Sequence, residues 1–140
     1  KLDYALSLEN DYFQRHILKA LVLFNLRENE QALREIIVAV RMNSSVLNQF
    51  SDWSAQLKTR GMIADLIPPL QKYVEENPKD WIGHQILAIV YMDSEKYTEA
   101  VDETNKALAL VPEDQLNGIQ PLILGILNKK VPPEKLLEKK

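Results

Sequence analysis

Few residues in this chain have the chemistry to react, and their spacing is informative. The two histidines, His16 and His84, stand far apart, at positions differing by 68 (84 − 16). A histidine can serve as a metal ligand or proton shuttle, but a separation of twice the repeat period described below puts both at one recurring site, where packing is the simpler role. With no cysteine, thiolate metal sites and disulfides are excluded and the redox compartment stays open. Acidic clusters such as Glu75-Glu76 and Asp102-Glu103 fall where the apolar pattern puts solvent rather than a core. A phosphate loop of the Walker type, a Rossmann glycine run, HExxH and Gly-x-Ser-x-Gly are all absent from the sequence. The expectation is a chain that is not an enzyme and holds no metal or cofactor, with both histidines packed in the interior.

The elements that would position these residues are legible in Trp81–Pro112. His84, Leu87, Ala88 and Tyr91 line one face of a first helix, and Asp93-Ser94-Glu95-Lys96 breaks the pattern. Tyr97, Ala100, Val101, Thr104, Ala107 and Leu108 then form the stripe of a second helix, which Pro112 stops. Two helices joined by so short a polar turn pack antiparallel. The pattern recurs. Pro78 and Pro112 differ in position by 34 (112 − 78), and Ala32 and Ala100 by 68 (100 − 32), twice that period. At the same interval Leu108, Val74, Val40 and Leu6 share one site, Tyr91, Leu57 and Leu23 another, and His84, Phe50 and His16 a third.

A period of 34 that carries Leu87 and Tyr91, then Ala100, then Pro112, resembles the tetratricopeptide repeat, whose unit reads W-x2-L-G-x2-Y, A-x3-F, P. This chain departs from that pattern with His84 for the tryptophan, Ala88 for the glycine and Thr104 for the aromatic. The middle unit keeps Leu57, Gly61 and Pro78 but has Trp53 and Leu66 where Leu and Ala are usual. The first keeps Ala20, Ala32 and Ala39 and has Ser44 for the proline. The resemblance implies an all-α fold, a right-handed α-solenoid of antiparallel helix pairs. It would comprise about three full repeats, at 13–46, 47–80 and 81–114, with flanking helices.

The rest of the chain fits around those units. Tyr4–Asn10 resemble Lys106–Pro112, so residues 1–10 read as the end of a preceding repeat and the whole as a fragment of a longer protein. Asp11–Arg27 is the first complete helix, with Asp11 its cap, and it is apolar almost all round, which predicts burial on more than one side. Pro68-Pro69 should kink the middle unit's second helix or mark its true start. Residues 115–140 are capping helices, one of them kinked at Pro121, with a short charged helix from Glu134. The 140 residues, 46% of them hydrophobic, suffice for one continuous core. A net charge of −3 argues against a nucleic-acid partner. Membrane insertion is not expected either, because no stretch approaches about 20 uninterrupted apolar residues.

In relatives of this kind the first helices line a concave groove that takes a peptide or helix. Here that face comprises Ile17, Leu21, Phe24 and Asn25, then Ala55 and Lys58, then Ile82, Gln85, Ile89 and Met92. Gln14, Asn48, Ser51, Thr59 and Asp93 border it, and Leu116, Ile119, Ile123, Ile126 and Leu127 continue it. It is apolar at both ends and polar in the middle, which suits an amphipathic helix or apolar peptide. The clamp with which some relatives hold chaperone C-termini is missing, because its positions are Ile17, Leu21, Asp52, Ile82 and Ile86. The first functional reading is therefore a protein-interaction module or scaffold for complex assembly. The alternative is a substrate-positioning domain of a larger enzyme, such as a glycosyltransferase or protease. A third reading is self-association through the open end of the first repeat. The sequence does not place the chain in a compartment.

Overall fold

The computed structural model describes the backbone of residues 2–138 and the side chains of residues 14–136. Among these residues the fold is all-helical: α1 (Leu2–Asn25), α2 (Asn29–Met42), α3 (Val46–Thr59), a 3₁₀ turn (Ile63–Leu66), α4 (Ile67–Glu76), α5 (Trp81–Asp93), α6 (Tyr97–Leu110), α7 (Glu113–Lys130) and α8 (Pro133–Glu138). α1 runs past residue 11, so the helix expected to begin at an Asp11 cap begins earlier. The side chains behind the likeness of residues 1–10 to Lys106–Pro112 lie outside those described.

The period of 34 is built into the turns. α1, α3 and α5 each end with a residue in the left-handed region, Arg27 (φ 64°), Gly61 (φ 73°) and Glu95 (φ 61°), spaced by that same interval. Each turn makes the same two closing bonds. The amides of Glu28, Met62 and Lys96 donate to the carbonyls of Leu23, Leu57 and Tyr91 at 2.8–2.9 Å, and those of Arg27, Gly61 and Glu95 donate to Phe24, Lys58 and Met92 at 3.0–3.1 Å. This is the Schellman closure, which satisfies carbonyls that a helix end leaves open. α2, α4 and α6 also end alike, with the amides of Asn43, Asn77 and Val111 donating to Ala39, Tyr73 and Ala107.

The pairs do not pack alike. α1 lies along α2 and α5 along α6, whereas α3 and α4 scarcely touch; α4 packs on α5 instead. The cause is local. The 3₁₀ turn intervenes after Gly61, and α4 starts with Pro68 and Pro69 in its first turn, where a missing N–H leaves no bond unmade. The expected alternative of a late start is the one observed. α7 runs through Pro121 from Glu113 to Lys130.

The core centres on α5, all thirteen of whose residues are buried. α2, α3, α4, α6, α7 and the 3₁₀ turn all pack against it. Small side chains permit this: Ala20, Ala32, Ala88, Ala100 and Ala107 are fully buried, and Gly83 lets the ring of Tyr73 approach so closely that a Cβ there would stand 2.7 Å from it. α1, expected to be buried on more than one side, leaves Leu18, Val22 and Leu26 exposed. No helix among the described residues is long and apolar enough to cross a membrane.

Candidate functional site: the cleft between α3 and α7

The face expected to form one groove is divided by α7. Its apolar residues Ile119, Ile123, Ile126 and Leu127 are buried, and the helix packs on α3 and α5 as well as on its neighbour α6. It thereby covers the α5 part of the expected groove face. Ile82, Gln85, Ile89 and Met92, expected at the groove, are interior, each 2% exposed or less. Phe24 is also interior, its ring 4.2 Å from that of Trp53 in a tilted pair. Ile17 and Leu21 are half-buried, while Asn25, Ala55 and Lys58 are exposed.

What remains open is a cleft between α3 and the C-terminal half of α7. One hollow of about 310 Å³ brings together Ala55 and Lys58 of α3, Met92 and Asp93 of α5, and Lys129 and Lys130 of α7. A second, of about 420 Å³, adjoins it past Asn48, Leu122 and Ile126. Ser51, Asp52 and Lys129 border both, so the two hollows adjoin as a channel divided at an Asp52–Lys129 ion pair of 3.7 Å. Both partners are about 70% exposed, and a pair of that kind contributes roughly 0–1 kcal/mol, so a ligand displaces it at little cost. Ile17, Leu21 and Asn25 line neither hollow.

A buried ion pair forms one wall. The Lys130 ammonium donates to both carboxylate oxygens of Asp93, at 2.7 and 2.9 Å, and to the Ser51 carbonyl at 2.9 Å. All three of its donors are used, and one residue ties α3, α5 and α7 together. Lys58 pairs with Glu95 at 3.4 Å on the surface. The channel is thus near-neutral, with apolar walls at Ala55, Met92 and Ile126. It offers a shallow, mixed surface for a peptide backbone and small side chains. Among the described residues no three His, Cys, Asp or Glu side chains cluster in a way that could hold a metal ion.

The histidines have partners that the periodicity did not reveal. His16 is hydrogen-bonded to Glu35 and His84 to Glu103, the latter at 2.7 Å; each pair joins the first and second helices of its own unit. The Pro78 carbonyl can only accept, so His84 Nε2 donates to it at 2.8 Å. Stepping Glu103 back by two periods would have located Glu35, and the middle unit has Phe50 and Pro69 at the corresponding sites. His84 is buried, as expected, but polar-paired rather than merely packed.

A hollow of about 1090 Å³ runs across the turns joining the units and is lined by Ser44, Pro78 and Pro112, the same site of three successive units. At its edge Asp80 caps α5, accepting from the Ile82 amide at 3.1 Å, and also accepts from Arg41 and the Tyr73 hydroxyl at 2.6 Å each. Burial, reinforced by the Asp80 carboxylate, pushes the Tyr73 hydroxyl up to about 12. Gln85 is 0% exposed and neither its carboxamide nitrogen nor its oxygen has a bonding partner. Its counterpart two periods earlier is Ile17 (85 − 68). Comparison of the chain with family models, curated proteins and solved structures finds no match.

Proposed function

We propose that this chain is a protein-interaction module of the tetratricopeptide kind, not an enzyme, and that it holds a peptide segment of its partner in the channel between α3 and α7. The observation that carries the reading is that Ala55 and Lys58 of the middle unit meet Met92 of the third and Lys129 of α7 around one hollow. The repeat reading draws support from the three Schellman turns one period apart and from the two His–Glu pairs in matching positions. The departure of α4 from its expected pairing leaves the array irregular at its centre.

The channel walls favour an extended, near-neutral peptide over a helix. Each hollow is small, and an amphipathic helix needs a wider apolar trough than Ala55, Met92 and Ile126 provide. The test is a pull-down from native extract with the parent chain and with Ala55→Arg as baits. Ala55 is exposed, so arginine is accommodated without unfolding and fills the hollow. A partner held by the parent and lost by the folded variant supports the reading. The same partner on both baits, or none on either, rejects it.

A further inference from the structure

The exposed large apolar side chains among the described residues are Leu18, Val22, Leu26, Val38 and Met42, all on the first helix pair. Three of them, Leu18 and Val22 on α1 and Leu26 in the turn just past its end, are 57–66% exposed and recur at intervals of four. The fold itself contains the same helix face in a covered state. Two periods further along the chain, Leu18 and Val22 become Ile86 and Val90 of α5, both 0% exposed. Arg15 becomes Gly83, against which Tyr73 and Val74 of α4 are packed. What covers this face in the third unit is therefore an amphipathic helix, α4.

We propose that the Leu18–Val22–Leu26 face of α1 is a docking surface for an amphipathic helix of another protein, one whose apolar stripe is flanked by acidic residues. The charge preference follows from the rim. Residues 14–28 contain Arg15, Lys19 and Arg27 against a single acid, Glu28 at the far end beside Arg27, and all four are exposed. Lys19 lies 3.6 Å from Glu35 while remaining 65% exposed, a weak surface pair that a better-placed carboxylate replaces. A second copy docking through the same face would bring two sets of these three cations to one seam, which disfavours self-pairing. Arg15 in place of Gly83 keeps the docked helix farther out than α4 sits on α5. The contact accordingly rests on the three apolar side chains and the basic rim rather than on backbone approach. This surface is separate from the α3/α7 channel and does not depend on it.

The probe is a labelled helical peptide of about four turns with a leucine stripe flanked by glutamates, beside a twin flanked by lysines, with binding read by fluorescence anisotropy. The expected result is that the glutamate peptide binds about tenfold more tightly than its twin at low salt, a gap that narrows as salt rises. Val22→Asp abolishes binding, Arg15→Glu with Lys19→Glu reverses the preference between the twins, and Ala55→Arg changes nothing. Circular dichroism confirms that each variant is folded. No binding, equal binding of the twins, or binding that survives Val22→Asp overturns the proposal. So does a concentration-dependent dimer in sedimentation that Val22→Asp abolishes, because a second copy then owns the face.

Discussion

Replacing Lys130 with methionine tests whether α7 is held over the concave face by the ion pair at its end. The ammonium makes three bonds, two of them to the Asp93 carboxylate. Both side chains are only about 10% exposed. Methionine keeps most of the stem's packing and removes the charge. Each hydrogen bond to a charged group contributes about 1.5–3 kcal/mol, and breaking a buried pair by removing one partner costs about 3–5 kcal/mol; we expect a loss within that range. At a urea slope of about 2 kcal/mol/M, the unfolding midpoint followed by circular dichroism falls by about 1.5–2.5 M. Asp93→Leu combined with Lys130→Met leaves no charge unpaired, so it should return to within about 1 kcal/mol of the parent. Amide exchange at Ile119–Leu127 should quicken in the single variant and recover in the double. The view that this pair latches α7 is refuted by a single variant within about 0.5 kcal/mol of the parent, the range of an ordinary surface substitution. A double variant as unstable as the single would refute it equally.

Further expectations concern the interior and the turns. Gln85→Ile replaces an unbonded buried carboxamide with the residue found at the equivalent Ile17 site, and should raise stability by about 1–3 kcal/mol in urea titration; a loss of stability would reveal an unseen partner for the amide. Glu95→Gly relieves a left-handed backbone at a helix end, so it should stabilise by about 1 kcal/mol, whereas Gly61→Ala should lose a similar amount. In spectrophotometric titration of the tyrosinate band, Tyr73 should ionise near pH 12, and Tyr73→Phe should remove that step. Because the folded chain holds this proton more tightly than the unfolded one, its contribution to stability is full below pH 10. It fades as pH rises toward 12, and Tyr73→Phe should flatten the fall.

The repeat period was legible because it is written in apolar spacing, and the elements at 81–93 and 97–110 fall where that spacing put them. The turns were less legible. Only Gly61 advertises a left-handed residue, while Arg27 and Glu95 adopt the same conformation without the usual glycine, since the closing bonds and the packed helices dictate it. The failure of α3 and α4 to pair was foreshadowed by Pro68-Pro69. Its consequence, that α4 turns to α5, depends on Gly83 meeting Tyr73, a contact that no local pattern encodes.

The α5 residues expected at the groove are buried for a reason that α5 itself makes plain. Besides its aromatic residues, Trp81–Met92 carries only His84 and Gln85 as polar side chains, and a helix apolar all round is a buried helix. Applied to α5, that rule requires something to cover its concave side, and α7, with Ile119, Ile123, Ile126 and Leu127, is the segment with the apolar stripe to do so. The same rule applied to α1 predicted burial on more than one side, yet Leu18, Val22 and Leu26 are exposed. The two helices share a pattern and differ in their surroundings: α5 has α4 on the face where α1 has nothing among the described residues. Among the described residues nothing covers the exposed stripe on α1, and the acidic amphipathic helix proposed above would bury it as α4 buries the matching face of α5.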